Sequence, residues 1–99
     1  MSVYSVFIRP EAEVELKDTF DWYEQQREGL SADLVLCIDE SIAKISRSPE
    51  QYPFVYKNIR RALIRRFPFG IFYLVERDLI IVLAFFHARR NPADWKSRG

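Results

Sequence analysis

Two apolar runs, Phe69–Val75 and Leu79–Phe86, constrain this chain more than anything else in it. Both are rich in β-branched and aromatic residues, and only Glu76, Arg77 and Asp78 separate them, a spacing that predicts a β-hairpin. The second run is apolar almost throughout, as expected of a central strand covered on both faces. Arginines crowd the ends of this hairpin: Arg60, Arg61, Arg65 and Arg66 before it, Arg89 and Arg90 after it. The only histidine, His87, stands where the last strand runs out. A rigid sheet with cations at its ends can present a site to an anionic partner.

The 99 residues suffice for a single domain, expected over 1–99, and not for two cores. A hydrophobic content of 48% and a charged content of 29% are those of an ordinary globular protein. One cysteine, Cys37, excludes an intramolecular disulfide and fits a reducing compartment. It falls on the apolar face of a predicted helix and reads as a buried, inert thiol. No run of residues is long and apolar enough to span a bilayer, and no signal-peptide core opens the chain, so a cytoplasmic protein without membrane contact is expected. The net charge of +1 conceals an asymmetry. Residues 1–56 hold five Lys/Arg against eleven Asp/Glu, and residues 57–99 hold ten against three. Either the fold has one acidic and one basic face, or the two halves pair across it.

Val3–Ile8 predicts a short strand, ended by Pro10, which suits the first turn of a helix. Glu11, Glu13 and Glu15 complement that helix's dipole, and Ala12, Leu16, Phe20 and Tyr23 form its buried stripe. Trp22 lies off the centre of the stripe. Gly29 marks the helix stop, and Ser31 is the expected N-cap of a second helix. Leu34, Val35, Ile38, Ile42 and Ile45 form the second stripe, and Ser48-Pro49 ends it. The short connection makes the helices an antiparallel hairpin. Residues 49–58 read as an ordered loop, and Ile59–Phe67 as a strand broken by Pro68. Asn91 caps a short terminal helix with Pro92 at its first position, and Trp95 docks it on the body. The expected class is α+β: an antiparallel sheet of about four strands against an N-terminal helical hairpin, in the order β-α-α-β-β-β plus the short C-terminal helix.

These features resemble the ParE/RelE superfamily of toxins from bacterial toxin–antitoxin systems. The resemblance spans nearly the whole chain. It rests on FDWYEQQREGL closing the first helix, a second helix ending in proline, the loop around Tyr52-Pro53, RRALIRRFPFGIFYLV, and the close LIIVLAFFHARRNPADW. It implies the same sheet-plus-hairpin fold and a cognate antitoxin, usually encoded beside the toxin, whose C-terminal segment wraps and blocks it in a hetero-oligomer. Operator DNA would be met only through the antitoxin. ParE-like members inhibit DNA gyrase, in plasmid-stabilisation modules among others, whereas RelE-like members cleave messenger RNA, commonly on the ribosome.

Metal-free RNA cleavage needs a general base, a general acid and cations for the phosphorane. His87 can serve as acid or base and the six arginines as cations, with Glu50 or Glu76 as a second acid/base that spacing does not single out. Ribonuclease members place a catalytic tyrosine or histidine near the chain end, but Trp95-Lys96-Ser97-Arg98 holds no tyrosine, leaving the set incomplete. The alternative for His87 is a strand-end residue bonded to backbone or capping an aromatic cluster with Phe85 and Phe86. Alternation along a strand splits Arg60/Arg61 and Arg65/Arg66 between faces, so about half of them pair with helix carboxylates. Arg89 and Arg90, in the turn after the last strand, are expected to face a partner. Phe69, Phe72, Phe85 and Phe86 read as core, not as RNA-stacking platforms. Gly29, Gly70 and Gly99 form no phosphate-binding loop, one His and one Cys make no metal site, and no cofactor is expected. The FHARRNP ending is of the ParE-like type. The expected function is therefore a growth-inhibiting toxin that binds gyrase, with Arg60, Arg61, Arg65, Arg66, Arg89, Arg90 and Trp95 as the residues that contact the target or the antitoxin. A His87-centred endoribonuclease is the second reading, and a non-toxic relic that still binds its antitoxin is the third.

Overall fold

The computed structural model describes residues 4–98. Strand β1 (Ser5–Ile8) leads into α1 (Pro10–Gln26) and α2 (Leu30–Arg47). A single 3₁₀ turn, Pro49–Gln51, then precedes β2 (Phe54–Tyr56), β3 (Ile59–Leu63), β4 (Phe69–Glu76), β5 (Leu79–His87) and the short α3 (Ala93–Lys96). The strands form one sheet in the order β1-β5-β4-β3-β2. The α+β class and the helical hairpin are as expected. The start of the predicted first strand, Val3, lies outside the described residues.

Three details differ from the sequence reading, each for a local reason. First, the sheet has five strands, because Phe54–Tyr56 pairs with β3 inside the stretch read as a loop. Its turn is Lys57-Asn58, with Lys57 left-handed at φ +49, so the glycine that usually marks such a turn is missing. Second, β1 runs parallel to β5, with Ser5 opposite Leu79 and Ile8 opposite Val82. Third, β3 stops at Leu63, and Arg65 and Arg66 lie in the turn before β4, with Arg66 at φ +75. They therefore do not alternate across the sheet.

Ser31 is not a cap. Gly29, left-handed at φ +86, swings the chain so that α2 begins at Leu30, and Ser31 falls one position inside it. There it is buried and its Oγ donates to the Glu24 carboxylate of α1, tying the helices together. At the other end of the chain, the Asn91 carboxamide accepts from the Ala93 N–H at 3.0 Å, but the cap position is Pro92 and α3 begins at Ala93, one residue later than expected.

The sheet carries a core on each face. Ala12, Leu34, Cys37 and Ile45 of the helices pack on Ala62, Ile71, Tyr73, Ile80, Val82 and Phe85. Tyr73 is fully buried and donates its hydroxyl to the Pro49 carbonyl at 2.6 Å; burial pushes its pKa well above the ordinary tyrosine range. The opposite face, which no long helix covers, buries Ile59, Phe72, Leu74, Leu83, Ala84 and Phe86 under Trp95. A bulge makes this second core possible. Phe72 pairs with Ala84 but Tyr73 pairs with Val82, so Leu83 is the extra residue and both Leu83 and Ala84 reach the far face.

Candidate functional site

The far face of the sheet is floored by aromatic rings and roofed by cations. Lys57 and Lys96 lie over the Tyr56 ring, with their Nζ atoms 5.2 and 4.7 Å from its centroid. The Arg90 guanidinium lies 4.1 Å over Phe86, and that of Arg98 lies 4.8 Å from the same ring. On the other side of the sheet edge, Arg60 sits 3.8 Å over Phe54. Such contacts occur about once per 70–80 residues in proteins generally, so their density here means that ring faces organise this basic layer. Arg61 joins it from β3, two residues beyond Ile59 and therefore on the same side. Gly70 of β4 makes room: a Cβ there would come within 3.0 Å of the Arg61 Cγ.

The arginines singled out by the sequence thus separate into groups. Arg61 and Arg90 belong to the far face. Arg60 faces the other way and is spent on structure, donating to the Glu50 and Tyr52 carbonyls at 3.1 and 2.5 Å. Arg65 pairs with Glu40 of α2 at 3.0 Å, and Arg66 reaches Asp33 at 3.9 Å. The Arg65 hydrogen bond holds the Glu40 carboxyl below its usual range, and Glu40 in turn raises the guanidinium. Arg89 is exposed in the turn after β5. Trp95, expected to meet a partner, is only 5% exposed in this chain; it stacks on Phe72 at 4.7 Å and meets Tyr56 edge-on at 6.3 Å. Its indole is part of the floor.

His87 is exposed at the end of β5. Its Nδ1 accepts from the Arg89 backbone N–H at 3.1 Å, and its ring meets Phe69 edge-on at 5.5 Å. A neutral ring holding that bond carries its proton on Nε2. The ring borders a depression of about 180 Å³ shared with Glu15, Asp18, Thr19, Phe69 and Arg90. Glu50 and Glu76 are not among its walls. Among the described residues no three His, Cys, Asp or Glu side chains are placed to hold a metal, and no helix is long and apolar enough to cross a membrane.

The opposite side of the molecule has a different character. Between α1 and α2 an apolar groove of about 270 Å³ is lined by Leu16, Phe20, Leu34, Val35 and Ile38, with the Lys17 stem along its rim. Phe20 and Val35 are 38% and 39% exposed. These are positions of the two predicted stripes, and the stripes are wider than the sheet they cover.

Residues 6–92 match the family profile described as the ParE toxin of the type II toxin–antitoxin system parDE. The chain belongs to the ParE toxin family. A solved structure with the same fold is titled "Chromosomal ParDE TA system from P. aeruginosa". It has a TM-score of 0.75 at 19% identity, and the match covers 86% of this chain and 96% of that one. No curated protein matches the chain. For this ParE-family chain the sequence singled out Arg61 and Arg90, which lie on the far face, and did not single out Lys57, Lys96 or Arg98. Lys57 sits in an unrecognised turn. Lys96 and Arg98 gain meaning only when Trp95 docks and carries them onto the sheet.

Proposed function

We propose that this chain is the growth-inhibiting toxin of a type II module, that its basic far face contacts DNA gyrase, and that a cognate antitoxin neutralises it. The family match supports the module, and one observation supports the surface. Lys57, Arg90, Lys96 and Arg98 lie over aromatic rings on the helix-free face with Arg61 on the same side, while most of the acidic residues lie on the helical hairpin. Complementary charge steers and orients a partner. Every aromatic ring of the floor is buried or already covered by a cation, so a face that accepts carboxylates or phosphates fits better than one that stacks bases.

Inducing the protein in cells while following plasmid supercoiling and messenger RNA 5′ ends tests this reading. Loss of negative supercoiling with unchanged transcript ends is expected. Unaltered supercoiling with new transcript ends would instead favour the endoribonuclease, for which the depression joining His87, Asp18, Glu15 and Arg90 is the supporting observation. His87→Ala would then abolish toxicity, whereas on the gyrase reading it leaves growth inhibition in place.

The apolar groove is the proposed seat of an amphipathic antitoxin segment, read as anchors at helical spacing. Val35→Glu places a charge at its exposed lip without touching the core. The variant is expected to remain toxic but to escape neutralisation by a co-expressed antitoxin, with affinity at least tenfold weaker by titration calorimetry, about 1.4 kcal/mol. Wild-type affinity in this variant would remove the groove from the interface.

A further inference from the structure

Strand β1 accompanies β5 only from Leu79 to Val82. Beyond that point no strand among the described residues lies beside the outer edge of β5, and side chains meet two of its backbone groups. Arg98 Nη1 donates to the Leu83 carbonyl at 3.1 Å, and the Phe85 N–H donates to Glu15 Oε1 at 3.0 Å. In a parallel ladder one residue of the neighbouring strand makes this same pair of bonds, giving its N–H to one carbonyl and taking the N–H two residues on. Here two side chains 83 positions apart do it together. They are also paired with each other, Arg98 Nη2 to Glu15 Oε2 at 2.9 Å and Nη1 to Oε1 at 3.1 Å. Their side chains are only 21% and 16% exposed, and Arg9 Nη1 reaches the Arg98 carbonyl at 3.4 Å.

We infer that Glu15 and Arg98 are positioning residues: a latch that substitutes for a strand residue opposite Ala84 and so holds the C-terminal segment over the far face. That segment carries Arg89, Arg90, Trp95 and Lys96. Its hold on the sheet at one end is the β5 chain itself, at the middle the Trp95 stack, and at the other end this ion pair. Releasing the pair lets α3 lift, and the cations of the segment leave the positions that the aromatic floor assigns them. The inference rests on the reading of the far face as a surface for an anionic partner.

Glu15→Gln separates the latch from simple electrostatics, because the two predict opposite signs. The substitution keeps an acceptor for the Phe85 N–H but removes the ion pair, and it makes the protein one unit more positive. Simple attraction then predicts tighter binding of an anionic probe. The latch predicts weaker binding. With an octaglutamate peptide at low ionic strength, the affinity of Glu15→Gln is expected to fall roughly tenfold, intermediate between the losses for an exposed and a buried ion pair. Asp21→Asn, the same charge change in the exposed pair with Lys17 on α1, is expected to bind as tightly as wild type or slightly tighter.

In a Trp22→Phe background, acrylamide quenching of Trp95 and trypsin cleavage after Arg89 and Arg90 should both rise in Glu15→Gln. The exchange Glu15→Arg with Arg98→Glu should reverse both effects. Unchanged quenching and cleavage would overturn the latch. A loosened segment with unchanged or tighter octaglutamate binding would overturn its positioning role and leave the toxin reading intact. No octaglutamate binding by the wild type would overturn the far face as an anion surface, while Trp95 quenching still decides the latch.

Discussion

Replacing Phe72 by alanine is expected to destabilise this protein by about 3–5 kcal/mol, the range for removing a buried aromatic side chain from a packed core. Domains of this size have roughly 5–15 kcal/mol of stability, so the change removes a large share of it. Phe72 is 1% exposed at the centre of the far face. It carries Trp95 at 4.7 Å and meets Phe86 at 6.2 Å. The cavity cannot close easily, because Arg61 and Ala84 flank it in fixed register across β3 and β5. Urea unfolding should show a lower midpoint with an unchanged slope. Leu36→Ala, at a position 67% exposed, should change stability by less than about 0.5 kcal/mol. A cost below about 1 kcal/mol for Phe72→Ala would mean that the helix-free face is not a core at all.

Reversing Lys57 and Lys96 together to glutamate should abolish growth inhibition while leaving the fold in place. Both ammonium groups are exposed and held by the Tyr56 ring, an interaction worth roughly 0.5–1 kcal/mol each at such sites, so stability falls only slightly. Binding is another matter. Like charges brought together at an interface cost several kcal/mol, which is about a hundredfold or more in affinity. The decisive control carries the same charge change on the other side of the molecule. Lys17→Glu with Lys44→Glu alters the helical hairpin, and it should leave inhibition as it is. If both double variants lose activity equally, net charge matters and the far face does not. Comparable expression and circular dichroism spectra for the two make that comparison sound.

Much of the hairpin and its helical cover was legible because the signals are local. The β4–β5 turn needs only a short polar break between two apolar runs, and Glu76 does pair with Leu79 across it. The helix stripes needed only their 3.6-residue period. Strand β2 was hidden for an equally local reason. Two prolines and a turn without glycine resemble a loop, and Lys57 takes a left-handed conformation that its residue type does not announce. The parallel place of β1 was hidden for a different reason. No turn joins β1 to β5, and a partner 74 positions away in register, Ser5 to Leu79, leaves no mark on the residues between.

The candidate site divides along the same line. Composition and order established that the second half of the chain is basic, that an aromatic hairpin lies in its middle, and that a tryptophan follows it. Those are properties of residues and their spacing. Tertiary structure decided how the cations are used. It sent Arg65 and Arg66 to the carboxylates of α2 and Arg60 to loop carbonyls, and it brought Lys57, Arg61, Arg90 and Lys96 onto one face. It also joined Glu15 to Arg98 at the uncovered edge of β5. The side of the sheet on which a cation lies depends on bulges, turns and a docked tail, each fixed by packing between distant segments. Periodicity reports which positions are apolar; only the folded chain determines which charges become neighbours.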